Sequence, residues 1–105
     1  MSTQKYNGWT NYETWNAALW LDNDYGLQRW MVEEAQRCYD GNEGDESSAK
    51  SDLAKVIEDQ FQQEADENAP KYGWMADAIN AYIGEVDFYE IAEHFLADVE
   101  KKSED

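Results

Sequence analysis

The chain has a single proline, Pro70, and six glycines, so there are few points at which an α-helix is forced to stop. Between those points apolar residues recur at the three- and four-residue spacing of one helix face. No Val/Ile/Thr-rich run alternates with polar residues in the manner of a strand. The fold class is therefore all-α, a single-domain bundle of about five helices over residues 1–105. Residues 1–9 and 101–105 are expected to fray, and residues 40–47, Asp-Gly-Asn-Glu-Gly-Asp-Glu-Ser, to form a mobile loop.

Local signals place the helices. Thr10 and Glu13 have the spacing of a capping box and start the first helix, which carries Trp15, Leu19 and Trp20 and ends near Leu21. Asp22 to Gly26 reads as a turn, and the second helix runs to about Tyr39 with Leu27, Trp30, Met31, Ala35 and Cys38 on one side. The third covers Ser48 to Glu67, with Leu53, Val56, Ile57 and Phe61 inward, and stops before Pro70. The fourth spans Trp74 to Ile83, with Gly84 as its stop. Asp87 caps the fifth, Glu90 stands at its third position, and Val86 can staple to Ile91. Its apolar stripe continues through Phe95 and Leu96 to Val99. Core packing is the expected fate of Trp15, Trp20, Trp30 and Trp74, whereas Trp9, outside the first helix, is not assigned to the core.

Charge decides which functions to set aside. There are 24 acidic and 8 basic residues, for a net charge of −16. Residues 1–39 carry only −2 of this, residues 40–70 carry −8 and residues 71–105 carry −6. Such a surplus opposes direct binding to nucleic acid or to anionic lipid and favours a basic partner. No apolar run reaches the length of a signal peptide or a membrane span, so a cytoplasmic location is expected, in a host cell if the chain is phage-encoded. A lone Cys38 excludes an internal disulfide and fits a buried thiol.

Catalytic constellations are missing. His94 and Cys38 fall short of a zinc set, and there is no phosphate loop or serine elbow. Asp22, Asp24 and Glu33 mimic three positions of a calcium loop, but Gly26 stands at the fifth ligand position and Leu27 where glycine is required. Helix capping explains these acids better. The chain is expected to be no enzyme and to use no cofactor or metal.

Asn11-Tyr-Glu-Thr-Trp-Asn16, followed by Leu19-Trp-Leu-Asp-Asn-Asp24, resembles a family of small proteins from bacteria, phages and other mobile elements. Val86-Asp-Phe-Tyr-Glu-Ile-Ala-Glu93 is similar to the closing segment of that family. The resemblance implies a small helical protein and transfers no catalytic residue. In composition the chain is also similar to acidic phage proteins that mimic DNA and inhibit restriction or CRISPR systems.

The functional expectation is accordingly a non-catalytic inhibitor, monomeric or dimeric, of a basic nucleic-acid-binding protein. Duplex DNA carries about one negative charge per 1.7 Å of axis. A row formed by Asp52, Asp59 and Asp66 with Glu58 alongside, extended by Glu90, Glu93 and Glu100 on the fifth helix, is the candidate partner-binding surface. The bland reading makes these acids solvated outer faces. The alternative function is a protein-interaction module that uses an aromatic N-terminal face.

Overall fold

Four of the five helices begin on an Asn or Asp whose side chain accepts a backbone N–H of the first turn, the commonest way of satisfying those otherwise orphaned donors. In a computed structural model, which describes residues 6–100, Asn11 caps α1 (Tyr12–Asn23) through Thr14, and Asp24 caps α2 (Tyr25–Gly41) through Leu27. Asp45 caps α3 (Glu46–Asn68), and Asp87 caps α5 (Phe88–Leu96) through Glu90. α4 (Trp74–Glu85) starts instead on Gly73, whose φ of 96° lies in the left-handed region open to glycine. Among the described residues there is no strand, only an isolated bridge between Tyr6 and Trp9.

Several local expectations shift. Asn11 rather than Thr10 caps α1, so the Thr10–Glu13 box is not made. α1 runs two residues past Leu21, leaving Asp24 alone between α1 and α2. Gly84 does not stop α4; it lies inside the helix, free of the positive φ a glycine stop would show. Residues 42–45 form a tight turn instead of the eight-residue loop, with Gly44 N–H donating to Tyr39 O. Residues 6–9, grouped with a frayed end in the sequence reading, close on themselves through Tyr6 N–H to Trp9 O and Trp9 N–H to Tyr6 O. The remaining ends expected to fray, 1–5 and 101–105, lie outside the described residues.

α3 is the spine. It packs chiefly on α5 and α2; α1 leans on α2, and α4 touches α1 and α3 at the edge. Leu21, Met31, Leu53, Ile57 and Ile91 are fully buried between these helices, and the Phe61 and Phe88 rings meet edge to face at 5.6 Å. Val86 and Ile91, the expected staple, are both buried. α5 ends at Leu96, so Val99 covers the core from the segment that follows.

That segment is held by Gln36. Its side-chain amide donates to Glu100 O at 3.2 Å and accepts Glu100 N–H at 2.9 Å, an amide pairing between α2 and the stretch after α5.

A polar seam joins α1 to the α4–α5 corner. Thr10 N–H donates to Glu90 Oε1 at 3.0 Å, Asn11 Nδ2 to Glu85 O at 2.7 Å, and Asp87 N–H to Thr14 Oγ1 at 2.8 Å. Half of the capping box of α5 is thereby reassigned. Asp87 still accepts Glu90 N–H, but Glu90 reaches to Thr10 and the Asp87 N–H is satisfied by Thr14. Thr14 is the one polar side chain that is completely buried among the described residues. We expect Thr14→Val, which keeps the shape and removes the acceptor, to destabilise the domain by about 1–3 kcal/mol in urea unfolding. Thr14→Ser, which keeps the hydroxyl, should cost less.

Candidate interaction surface

α1 is turned opposite to the expected way. Its buried positions are Thr14, Ala17, Ala18 and Leu21, an i, i+3, i+4, i+7 stripe of mostly small residues that lets the helix lie close on the core. The other face carries Tyr12, Trp15, Leu19 and Trp20. Trp20 is 62% exposed, Tyr12 48% and Leu19 38%, while Trp15 is half-buried. Trp15 is held from the side by Tyr6 at 4.9 Å and Tyr12 at 5.6 Å between ring centres.

The expected core packing of four tryptophans is therefore corrected. Trp20 and Trp74 stand on the surface, the latter 77% exposed in the first turn of an edge helix. Trp15 and Trp30 are half-buried, and Trp30 packs against the core. Trp9, left unassigned, also packs against the core, with its ring 5.2 Å from that of His94. His94 Nε2 in turn lies 3.2 Å from Asp22 Oδ2, at the end of α1.

The seven acids proposed as one surface fall in several places. Asp52, Asp59 and Asp66 do share an exposed face of α3. Their seven-residue spacing separates them by about 10.5 Å along the axis, well above the phosphate spacing they would imitate. Lys55 stands between the first two and pairs with Asp59 at 3.1 Å, and Asp52 accepts Asn42 Nδ2 at 2.9 Å. Glu58 is turned about 100° away from Asp59. It borders a hollow with Thr10, Lys55, Glu85 and Asp87. Glu90 is half-buried and occupied by Thr10. Glu93 lies by Glu46, Ser47 and Lys50. Glu100 is not on α5 at all, because the helix has ended at Leu96.

Glu100 instead joins an acidic groove that sequence reasoning missed. Asp22, Glu33, Asp40, Asp98 and Glu100 line a hollow of about 690 Å³ over Val32, Phe95 and Val99. These residues come from α1, α2 and the segment after α5, so no spacing rule links them. Several are engaged: Asp22 by His94, Glu33 by Arg29 at 3.7 Å, and Asp40 by Gln36. Among the described residues no group of three or more His, Cys, Asp or Glu is placed to hold one metal ion. The would-be calcium loop is accounted for by Asp24 capping α2 and by these pairings. No helix within the described residues is long and apolar enough to cross a membrane.

Beside the aromatic face, Tyr82 donates its hydroxyl to Asn16 Oδ1 at 2.6 Å, tying α4 to α1. Burial raises the Tyr82 phenol above its ordinary value, and the neighbouring Tyr12 and Glu13 add to the effect. Burial likewise pushes the Cys38 thiol up. The sequence profile of a family of unknown function, DUF7249, matches residues 2–93, which takes in the α1 face, the α4–α5 corner and most of α5. No curated protein and no solved structure matches the chain.

A phenol whose folded value is raised stabilises the fold fully below its ordinary value of 10.0, and that contribution is lost as pH rises through the higher folded value. Phenolate absorbance should therefore show a last step above that ordinary value, from Tyr82, that coincides with unfolding. Tyr82→Phe should remove that last step and flatten the decline of stability in alkali.

Proposed function

We propose that this chain, which belongs to that family, is a non-catalytic protein-interaction module whose docking surface is the aromatic outer face of α1. One observation carries the reading: α1 directs Thr14, Ala17, Ala18 and Leu21 into the core and leaves Tyr12, Leu19 and Trp20 exposed. Apolar residues scattered singly over a surface need no explanation, but aromatic residues aligned on one helix face are costly to leave in water and are typical anchors of protein interfaces. Three polar residues beside them already have partners within the fold. Asn11 and Thr14 bond the α4–α5 corner, and Asn16 receives Tyr82. The indole of Trp20 and the ring edges of Tyr12 are what α1 offers to another molecule.

Charge mimicry of a polynucleotide, aimed at a basic restriction- or CRISPR-type defence protein, is the second reading. It draws on the net charge of −16 and on the exposed line of Asp52, Asp59 and Asp66. It is weakened by the spacing of that line, by Lys55 within it, and by the shape of the region where Asp22, Glu33, Asp40, Asp98 and Glu100 come together. That region is a hollow, whereas a groove built for DNA receives a convex body.

The two readings respond differently to salt and to substitution. A partner held by the α1 face should stay bound at moderate salt, and Trp20→Ala should weaken it by about tenfold or more while leaving helicity unchanged. A partner held by charge mimicry should dissociate at moderate salt, be displaced by DNA, and be lost on reversal of Asp52, Asp59 and Asp66 to lysine. Retention of full affinity by Trp20→Ala sinks the first reading.

A further inference from the structure

Next to Trp20 the surface dips. Trp20, Leu27, Phe61 and Tyr82 border a hollow of about 290 Å³ where α1, α2, α3 and α4 come together. A second hollow, of about 320 Å³, adjoins it between α3 and α4, against Ala65, Pro70 and Ile79. Phe61, Glu64 and Tyr82 belong to both, so the two form one trough open to solvent. Its walls are apolar apart from a few polar groups, of which Glu64 stands where the hollows meet. The Glu64 carboxylate is exposed and accepts Gln60 Nε2 at 3.1 Å, and among the described residues no lysine or arginine pairs with it.

We propose that this trough receives an amphipathic helix of another protein, with apolar side chains in the two hollows and a lysine or arginine on Glu64. The proposal rests on the α1-face reading and gives that partner its chemistry. Two adjoining hollows suit two successive anchors on one face of a helix, at positions such as i and i+3 or i+4. The two hollows, of about 290 and 320 Å³, are each of a size to take an apolar side chain of such a helix. Trp20, 62% exposed at the rim, supplies an aromatic wall that gains burial only when the trough is filled.

Charge selects the occupant. A second copy of this chain would bring another net −16 and a second Glu64, so self-association through the trough is opposed by both the long-range field and the local contact. A cationic helix is attracted by the first and paired by the second.

The test uses the full chain and three synthetic helical peptides of equal length, followed by amide and indole NMR shifts. One is an amphipathic Leu/Lys helix, one has the same composition scrambled so that no apolar face forms, and one is a Leu/Glu counterpart. The amphipathic cationic peptide is expected to bind about tenfold more tightly than the scrambled one, with shifts centred on Trp20, Phe61, Glu64 and Tyr82. Glu64→Gln should reduce its affinity several-fold more than Glu33→Gln, which removes the same charge from the acidic groove. Equal binding of the scrambled peptide, or equal effects of the two substitutions, overturns the trough. Shifts confined to Tyr12 and Leu19 overturn the trough but leave the α1 face standing. Shifts confined to the acidic groove, with α1 silent, overturn both.

Discussion

Five hydrogen bonds reach across more than sixty residues of chain to set α1 in place: Thr10 to Glu90, Asn11 to Glu85, Asp87 to Thr14, Tyr82 to Asn16, and the contact of His94 with Asp22. α1 has little else to hold it. Apart from Leu21, its buried face is threonine and alanine, which contribute far less apolar burial than the leucines and isoleucines of α3 and α5. Small residues bring the helix close, and the polar seam supplies direction and register. The buried Thr14 hydroxyl matters most, because a misplaced α1 would leave both it and the Asp87 N–H without a partner in a part-buried site. With the seam closed, the outward position of Tyr12, Leu19 and Trp20 follows from helical geometry alone.

The segments that carry the sequence resemblance acquire a physical meaning here. Asn11 to Asn16 and Val86 to Glu93 lie far apart in the chain and are brought together by the seam. Three of their polar members are spent on caps and on bonds between helices: Asn11 on Thr14 and Glu85, Asp87 on Glu90, Asn16 on Tyr82. Among the groups these segments present outward are the rings of Tyr12 and Tyr89, and the first of these belongs to the surface proposed for binding.

The fold class and the number of helices were legible because long stretches of the chain have one helical period and few breakers. The Asp87 cap of α5 was legible for the same reason, a local signal with a local consequence. α1 was misread because two apolar stripes compete on it. Trp15, Leu19 and Trp20 carry more apolar surface than Thr14, Ala17, Ala18 and Leu21, yet close approach to the core favours the smaller set. Its low amphipathicity was the available warning. The acidic surface was misread on scale. Asp52, Asp59 and Asp66 share a face, as a seven-residue repeat requires, but rows of charge also depend on what lies between, and there the chain has Lys55. Glu100 was lost to the early end of α5, and its grouping with Asp22 and Asp40 is a tertiary fact with no local signature.

The charge surplus and the exposed aromatics are better understood together than as rival explanations. A small domain that leaves Trp20, Trp74, Tyr25 and Tyr72 in water has surfaces that would otherwise pair with copies of themselves. A net −16 raises the free energy of every such encounter, and three of the four cations of α2 and α3, Arg29, Arg37 and Lys55, are each paired with an acid on their own helix. Repulsion between copies leaves attraction to a cationic, partly apolar surface intact. The acids then need not be gathered into a replica of DNA to matter. Under the proposed binding role, the net charge would act at long range as a filter on which partners reach the α1 face, and the aromatic groups would supply the short-range contact.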